Sequence, residues 1–157
     1  MSAIKDLKNN EIFKGVPSSK LKEILKYCKD RAFKAEENIF TYGQKGEEFY
    51  LLLDGEVKLK IQPEGGDELP DIYISAQSTF GFSALLEPYT YASTAECLME
   101  AKVIAIRIGP FLEFISNKNI NVGFIIMSNL SRMLRDRLFE TRKKLADIIS
   151  QLEMSII

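Results

Sequence analysis

Residues 33–57, FKAEENIFTYGQKGEEFYLLLDGEV, carry the pattern that decides the fold of this 157-residue chain. Short β-branched and aromatic runs alternate there with Gly, Asp and Asn, which is typical of short strands joined by tight turns. The glycines favour corners that need a positive φ, and the Asp54-Gly55 step predicts one such turn between two strands. Residues 57–61 then alternate apolar and polar side chains strictly, so they predict a half-buried strand.

The same alternation of strands and breaks continues to residue 108. Strands are also predicted over residues 39–42, 49–53, 72–74, 92–96 and 102–108, with a polar loop over residues 62–70. Many short strands at this spacing predict a mainly β domain, either a barrel or a jelly roll.

Helical patterns precede the β region. An apolar stripe at i, i+3, i+4 and i+7 predicts a helix over residues 18–28, with Ser18 or Ser19 as its N-cap. Residues 4–13 predict another short helix before it. We expect both segments to flank the β domain.

A long helix of about 30 residues, ~45 Å in length, is predicted over residues 122–152, after a short helix at residues 111–116. The apolar positions along it include Leu130, Leu134, Leu138, Leu145, Ile148 and Leu152, and Thr141 occupies one position of the same stripe. The step of four between Leu134 and Leu138, where three is expected, indicates a local phase shift.

The rest of the domain is too small to bury a stripe of that length. We therefore expect the distal half of the helix to pair with a second copy, which gives a parallel homodimer. The chain then divides into a β-roll with N-terminal helices over residues 1–121 and a dimerisation helix over residues 122–157.

The composition excludes several classes of function. There are 21 Lys and Arg residues against 22 Asp and Glu, so no global field points to nucleic acid or a membrane. The chain has no histidine, which leaves Ser–His and Cys–His catalysis without a base, and we expect neither an enzyme nor a metal site. Because no secretory leader and no membrane-length apolar run is present, Cys28 and Cys97 are expected to be reduced cytoplasmic thiols, although a disulfide between them is left open.

Two stretches resemble the cyclic-nucleotide-binding domain family of the catabolite activator and FNR-type regulators and of protein kinase A regulatory subunits. One is residues 33–57, whose spaced glycines, aromatic pair and Gly-x-Val turn are similar to those of the family. The other is residues 80–95, FGFSALLEPYTYASTA, which looks like the family's phosphate-binding cassette. The resemblance covers residues 12–152 and implies a double-stranded β-helix jelly roll with a short cassette helix inside it.

The cassette departs from the family pattern at its two ligand-binding side chains. The family's glutamate, which accepts from the ribose 2′-hydroxyl, falls on Phe82, and its arginine, which pairs with the cyclic phosphate, falls on Tyr91. Loss of an arginine–phosphate pair typically removes ~2–5 kcal/mol of binding, so the resemblance implies altered or lost binding of cyclic AMP. The two aromatic side chains either fill the old pocket or line a pocket for an aromatic or apolar ligand.

The residues expected to line the ligand pocket lie in the cassette and on the long helix. They are Gly81, Phe82, Ser83, Ala84, Tyr91, Ala92, Ser93, Thr94, Thr141 and Arg142. The cassette hydroxyls either bind a ligand anion or cap the cassette. Thr141 falls where family helices place a polar residue that touches the ligand across the dimer, and Arg142 could replace the missing arginine; a solvated helix face is the alternative for both. The ligand, a cyclic nucleotide or another small molecule, is left open, and no fixed cofactor is expected.

The resemblance favours a non-catalytic regulatory module, and three forms of it stay open. These are a stand-alone sensor that binds a partner protein, the sensor half of a Crp/Fnr-type transcription regulator, and a cyclic-nucleotide binder with compensating residues. The chain ends at Ile157, where the helix-turn-helix domain of family regulators would begin, so we do not expect this chain alone to bind DNA. Residues 132–144, with six basic and two acidic side chains, are interpreted as charged flanks of the coiled coil rather than a DNA or membrane surface. The hinge between roll and helix is expected near residues 117–122.

Overall fold

Within residues 2–61 and 70–156, which the computed structural model describes, eight β-strands form the two antiparallel sheets of a jelly roll. The strands are β1 Cys28–Phe33, β2 Asn38–Phe40, β3 Glu48–Asp54, β4 Val57–Lys60, β5 Ile72–Ile74, β6 Thr79–Phe80, β7 Thr94–Cys97 and β8 Ala101–Arg107. One sheet has the order β1-β8-β3-β6 and the other β2-β7-β4-β5. The predicted loop at residues 62–70 lies, apart from Pro70, outside the described residues.

Strand β3 lies in the middle of the first sheet, and this position explains its apolar sequence. It pairs with β8 on one side, where Leu51 is opposite Ile104, and with β6 on the other, where Tyr50 is opposite Phe80. All four side chains of residues 49–52 are buried. A strand that is covered on both faces reads as a continuous apolar run rather than an alternating one.

The chain turns sharply at Gly55, as the Asp54-Gly55 step predicts. The turn carries the chain from one sheet to the other, because β3 and β4 belong to different sheets. Gly55 has a φ of +106°, and a Cβ there would lie 2.4 Å from the carbonyl oxygen of Glu100. Only glycine fits this corner without a shift of the backbone.

The N-terminal helices are shorter than predicted. Helix α1 spans Ser2–Asn9 and α2 spans Ser18–Ile24, with 3₁₀ turns at Glu11–Phe13 and Leu25–Tyr27. The prediction of one helix over residues 18–28 is wrong at its end, because Cys28 pairs with Ile106 as the first residue of β1. The predicted serine cap is also wrong, since Pro17 is the N-cap of α2 and makes no side-chain hydrogen bond.

Asn10 interrupts the helix that was predicted over residues 4–13. Its side-chain oxygen accepts hydrogen bonds from the Ile12 N–H at 3.0 Å and the Thr79 hydroxyl at 3.1 Å. Its amide donates to the Gln77 carbonyl at 2.6 Å. The Asn10 side chain therefore ties the N-terminal segment to the roll beside β6.

The C-terminal region has two helices separated by a short irregular segment. Helix α3, Ile108–Glu113, starts before the predicted residue 111, with Gly109 and Pro110 in its first turn, where proline's missing N–H is tolerated. A π-helical turn at Phe114–Lys118 and Asn119 lead into α4, Ile120–Ile156, whose 37 residues span ~55 Å. No helix among the described residues has the length and apolar character needed to cross a bilayer.

The first third of α4 packs onto the roll. The buried side chains of this part are Val122, Ile126, Asn129, Leu130 and Met133. The Asn129 amide donates to the carbonyls of Ile12 at 3.0 Å and Lys14 at 2.8 Å. At Gly123 the helix approaches the π-helical turn so closely that a Cβ would lie 2.2 Å from the Ile115 carbonyl oxygen. Residues on both sides of position 121 belong to one packed core. The division of the chain into residues 1–121 and 122–157 stays a prediction.

Leu130 was wrongly predicted to belong to the dimer stripe. It is 4% exposed in the core of its own domain, whereas Leu134 is 43% and Leu138 60% exposed. Without Leu130, steps of four and three alternate regularly along one line of α4, which we name the seam. The seam consists of Ile120, Phe124, Met127, Ser131, Leu134, Leu138, Thr141, Leu145, Ile148 and Leu152. The predicted phase shift was therefore also wrong; it arose from assigning a core residue to the seam.

Candidate ligand site

The cassette is held against the β2–β3 loop by backbone contacts. It contains a 3₁₀ turn, Phe82–Leu85, which begins after Gly81 in a left-handed conformation with a φ of +79°. A Cβ at Gly46 would lie 2.0 Å from the Ala84 Cβ, so the loop and the cassette touch without an intervening side chain. The Gly46 N–H donates to the Tyr89 carbonyl at 2.8 Å. These contacts fix how the cassette lies against the β2–β3 loop.

Tyr91 extends from this frame into the interior of the roll. Its ring stacks on Phe40 with centroids 3.9 Å apart, and Phe40 stacks in turn on Tyr50 and Phe80. The Tyr91 hydroxyl donates to the Glu48 carbonyl at 2.5 Å. Burial raises the pKa of both Tyr91 and Tyr50 above the usual tyrosine range, so both phenols stay protonated at neutral pH. The side chain at the position of the family's arginine is thus neutral, buried and hydrogen-bonded.

The charges closest to this aromatic stack compensate each other. The Arg31 guanidinium of β1 forms an ion pair with the Glu48 carboxylate of β3 and lies 5.0 Å from the centre of the Phe33 ring. The Tyr50 hydroxyl donates to the same carboxylate at 3.5 Å. Arg31 is therefore engaged by a carboxylate and does not replace the arginine missing from the cassette.

The hydroxyls of Ser83 and Thr94 accept hydrogen bonds from backbone N–H groups of their own chain. Ser83 Oγ accepts from the Ala92 N–H at 3.1 Å, which closes the two ends of the cassette on each other. Thr94 Oγ1 accepts from the Tyr42 N–H at 2.9 Å, and Ser93 is buried. Of the two alternatives for these groups, the Ser83 contact agrees with capping of the cassette, whereas Thr94 bonds to the β2–β3 loop.

Phe82 is partly buried and lies within reach of α4. The Arg137 guanidinium of α4 is 5.7 Å from the centre of the Phe82 ring, within cation–π range. Burial lowers the pKa of Arg137, and the nearby Glu11 raises it to a smaller extent. Sequence reasoning missed Arg137; its place in the basic run 132–144, one turn before Thr141, was the signal that could have found it.

Two residues predicted for the pocket lie apart from the cassette of their own chain. Thr141 is exposed, and its hydroxyl donates to the Arg137 carbonyl of the preceding turn at 2.8 Å. Arg142 is also exposed. The structure therefore brings together the eight predicted residues of the cassette and leaves Thr141 and Arg142 on the helix surface, and their contact with a ligand across a dimer stays a prediction.

A groove of about 570 Å³ separates α4 from strand β5. Ile72, Ile74 and Met133 form its apolar wall. Its charged groups are the carboxylates of Glu11, Asp71, Asp136 and Glu140 and the cations of Arg137 and Lys144. The volume suits a small molecule, but the excess of carboxylates disfavours an anionic one. Among residues 2–61 and 70–156, no group of three or more Cys, Asp and Glu side chains could hold a metal ion.

The jelly roll, the cassette between β6 and β7 and the long helix that follows define a regulatory sensor domain of the cyclic-nucleotide-binding type. The sequence profile of the cyclic nucleotide-binding domain matches residues 30–118, and the chain belongs to this family. The resemblance seen in the sequence is therefore confirmed.

Two relatives show how much of longer proteins the chain covers. It is 34% identical over 96 residues to an uncharacterized protein of Haemophilus influenzae, a match that covers 61% of this chain and 74% of the relative. It is 26% identical over 139 residues to the CRP-like cAMP-activated global transcriptional regulator of Mycobacterium tuberculosis. This second match covers 88% of the chain but 59% of the regulator, so the chain spans less than two thirds of that protein.

Solved structures of three proteins share the fold. A protein of Geobacter metallireducens described as cyclic nucleotide-binding superimposes with a TM-score of 0.74 at 26% identity, over 88% of this chain and 99% of that one. The catabolite activator protein of Thermus thermophilus gives 0.70 at 24% identity, over 90% and 63%. The regulatory domain of Toxoplasma gondii PKA, crystallised with cAMP, gives 0.72 at 17% identity, over 86% and 49%. The last two show the fold alone.

Proposed function

We propose that this chain is a non-catalytic regulatory sensor that no longer holds a cyclic nucleotide in the usual manner of its family, and whose output is the binding of a partner protein. The observation that carries this proposal is the Tyr91 side chain, which stacks on Phe40 and donates to Glu48 inside the roll. We also propose a cytoplasmic location, which agrees with the free thiols of Cys28 and Cys97.

The physical argument concerns the donors that a cyclic phosphate needs. A phosphate that leaves water requires a cation or several N–H donors. Arg31 is paired with Glu48, and the Ala92 N–H is bonded to Ser83. Loss of the arginine–phosphate pair, worth ~2–5 kcal/mol, weakens binding by about 30- to 4000-fold. Phe82, in the place of the family's glutamate, also offers no acceptor to a ribose hydroxyl.

Calorimetric titration with cyclic AMP and cyclic GMP tests this proposal. We expect no heat of binding from either nucleotide at millimolar concentration. Micromolar binding of either one would contradict the proposal and would favour a cyclic-nucleotide binder with compensating residues such as Arg142.

A restored variant makes the same test from the opposite direction. Phe82→Glu combined with Tyr91→Arg returns both ligand-binding side chains, so measurable binding of cyclic AMP should appear. The matched control combines Phe82→Glu with Tyr89→Arg, which places the new arginine on an exposed residue two positions away. Equal gains in the two double variants would show that added charge, and not the cassette position, causes the binding.

The likeness to the mycobacterial regulator supports a second candidate function, the sensor part of a transcription regulator. In that case DNA binding belongs to a further domain or chain, and residues 1–157 alone should not bind duplex DNA. Binding by this chain with a steep dependence on salt would instead assign the contact to the basic run 132–144.

We further propose that the chain forms a parallel homodimer through the seam of α4. Leu138, Leu145 and Leu152 are between 55% and 60% exposed in the single chain, on a helix that extends well beyond the roll. An apolar line at heptad spacing is the pattern that a second helix covers.

Sedimentation equilibrium tests the dimer and its seam together. The wild-type chain should be dimeric at tens of micromolar, and Leu138→Glu with Leu145→Glu should make it monomeric, because both charges would be buried between the helices. Phe139→Glu is the control, since Phe139 is 65% exposed but lies off the seam. A monomeric wild type, or a dimer that survives the double substitution, would contradict this assignment.

A further inference from the structure

The side chains that border the seam between residues 135 and 144 are all cationic. In this stretch the two helices of the proposed dimer would extend beyond the roll. With Leu138 and Leu145 at heptad position a, Arg135 and Arg142 fall at e, and Arg137 and Lys144 at g. In a parallel two-stranded coil, position g of one helix faces position e of the next heptad of the other. Arg137 of one protomer would therefore face the partner's Arg142, and the symmetry of the dimer repeats this pair on the opposite side.

Neither arginine of this pair forms an ion pair within the described residues of its own chain, although Glu11 and Glu140 lie on the groove side of Arg137. The helix neighbours of Arg142 at three and four residues are Leu138, Phe139, Leu145 and Ala146, which carry no charge. Arg137 stacks on Phe82, and its guanidinium is partly removed from water, as its lowered pKa reflects. In the proposed dimer two like charges would thus meet at the seam, where neither is held in an ion pair and Arg142 has no charged helix neighbour at three or four residues.

The seam is also least apolar at this level. Thr141 is the one polar residue among the seam positions from Leu134 to Leu152. Its hydroxyl hydrogen donates along its own helix to the Arg137 carbonyl, so its oxygen keeps a free lone pair while the arginines supply the donors. The level of Thr141 therefore combines a weak apolar contact with two facing guanidinium groups.

We propose that the dimer binds a multivalent oxyanion, of the phosphate or phosphate-ester class, between Arg137 of one protomer and the partner's Arg142, with one such site on each side of the seam. The inference rests on the homodimer proposed above. Guanidinium groups bind the oxygens of a phosphate in pairs, which suits two arginines that meet from opposite sides. Since the site exists only in the dimer, the anion and the dimer stabilise each other by mass action.

The test measures the dimer dissociation constant by sedimentation in sodium chloride and in sodium phosphate of equal ionic strength, with 5′-AMP in chloride as a third arm. At a phosphate concentration four times the dissociation constant of the site, each site should tighten the dimer about fivefold. AMP should act in the same direction, because its phosphate is chemically the same group. An effect of AMP without any effect of inorganic phosphate would overturn the assignment, since the base would then carry the binding.

Two single substitutions separate this site from a general salt effect. Arg142→Gln and Arg137→Gln each remove one cation from every facing pair and so relieve the repulsion between the helices. The dimer of each variant should therefore be about threefold tighter in chloride than the wild type, and it should no longer respond specifically to phosphate. Arg132→Gln and Lys143→Gln are matched controls, because they remove a charge from the outer face and should keep the response. An equal response to phosphate in all four variants, or a weaker dimer in Arg142→Gln, would overturn the proposed site alone. A wild type that stays monomeric in both salts would overturn the homodimer and the site with it.

Discussion

Tyr91 determines the chemistry of the cassette because every part of its side chain has a partner within the chain. The ring stacks on Phe40, and the hydroxyl donates to the Glu48 carbonyl at 2.5 Å. A ligand that occupied this position would have to displace the ring and leave that carbonyl unpaired. The residue therefore acts as a structural plug whose removal has a measurable cost.

Tyr91→Phe should destabilise the domain by about 1–2 kcal/mol, because the ring stack remains while the Glu48 carbonyl loses its donor. Urea unfolding at one fixed protein concentration measures the change. Tyr89→Phe, which alters an exposed ring in the same loop, should stay within about 0.5 kcal/mol of the wild type. A Tyr91→Phe variant as stable as this control would show that the hydroxyl contributes nothing in solution.

At the level of elements, α4 has two apolar faces that overlap in sequence. One face, with Leu130 and Met133, packs on the roll, and the other, with Leu134 and Leu138, is exposed. Neighbouring members of the two faces differ by only one or four residues, so spacing alone assigns Leu130 to either. Burial decides it. Helix α4 packs on the 3₁₀ turn Glu11–Phe13, where the Asn129 amide donates to the Ile12 carbonyl across more than a hundred residues of chain, and Leu130 is buried there.

Alanine substitutions should separate the two faces of α4. Leu130→Ala should lower the free energy of unfolding of the monomer by about 2–5 kcal/mol, because it opens a cavity in the core. Leu134→Ala should leave monomer stability within about 0.5 kcal/mol and should raise the dimer dissociation constant instead. Urea unfolding at low protein concentration and sedimentation at high concentration measure the two effects. The reverse pattern would return Leu130 to the seam.

Most of the fold could be predicted from sequence because its signals are local. The strand texture of residues 33–57, the corner at Gly55 and the continuous helix after Asn119 all depend on short-range sterics and periodicity. The end of α2 could not be predicted, since the apolar spacing of residues 21–28 suits a helix, while pairing of Cys28 with Ile106 makes it a strand. For the site, the sequence alone shows aromatic residues, Phe82 and Tyr91, at the positions where the family pattern has its glutamate and arginine. The Tyr91–Glu48 hydrogen bond and the Arg137–Phe82 contact were not, because each joins elements far apart in the chain.

On the scale of the whole molecule, the core extends through the roll and into the first third of α4, and ends there. Val122, Ile126 and Met133 are buried, whereas every residue from 138 to 156 is exposed. A solitary helix in water is only marginally stable, so the proposed second chain would supply the contacts that the distal part of α4 lacks in the single chain.

Hydrogen–deuterium exchange should therefore depend on protein concentration in one region only. Amides of residues 124–133 should be protected at every concentration, because this part of α4 packs on the roll through Ile126, Asn129, Leu130 and Met133. Amides of residues 138–152 should exchange quickly in dilute protein and become protected as the dimer forms. Protection of the distal region that does not change with concentration would contradict a helix stabilised by dimerisation.

The close contact between Gly123 and the Ile115 carbonyl has a mechanical consequence. The contact fixes the 37-residue helix near its N-terminal end, and ~50 Å of helix extend from Gly123 to Ile156. A tilt of about 5° at this contact would move the far end of the helix by about 4 Å. A small change of angle at this contact is thus converted, by the length of α4 alone, into a displacement of several ångströms at the far end of the helix.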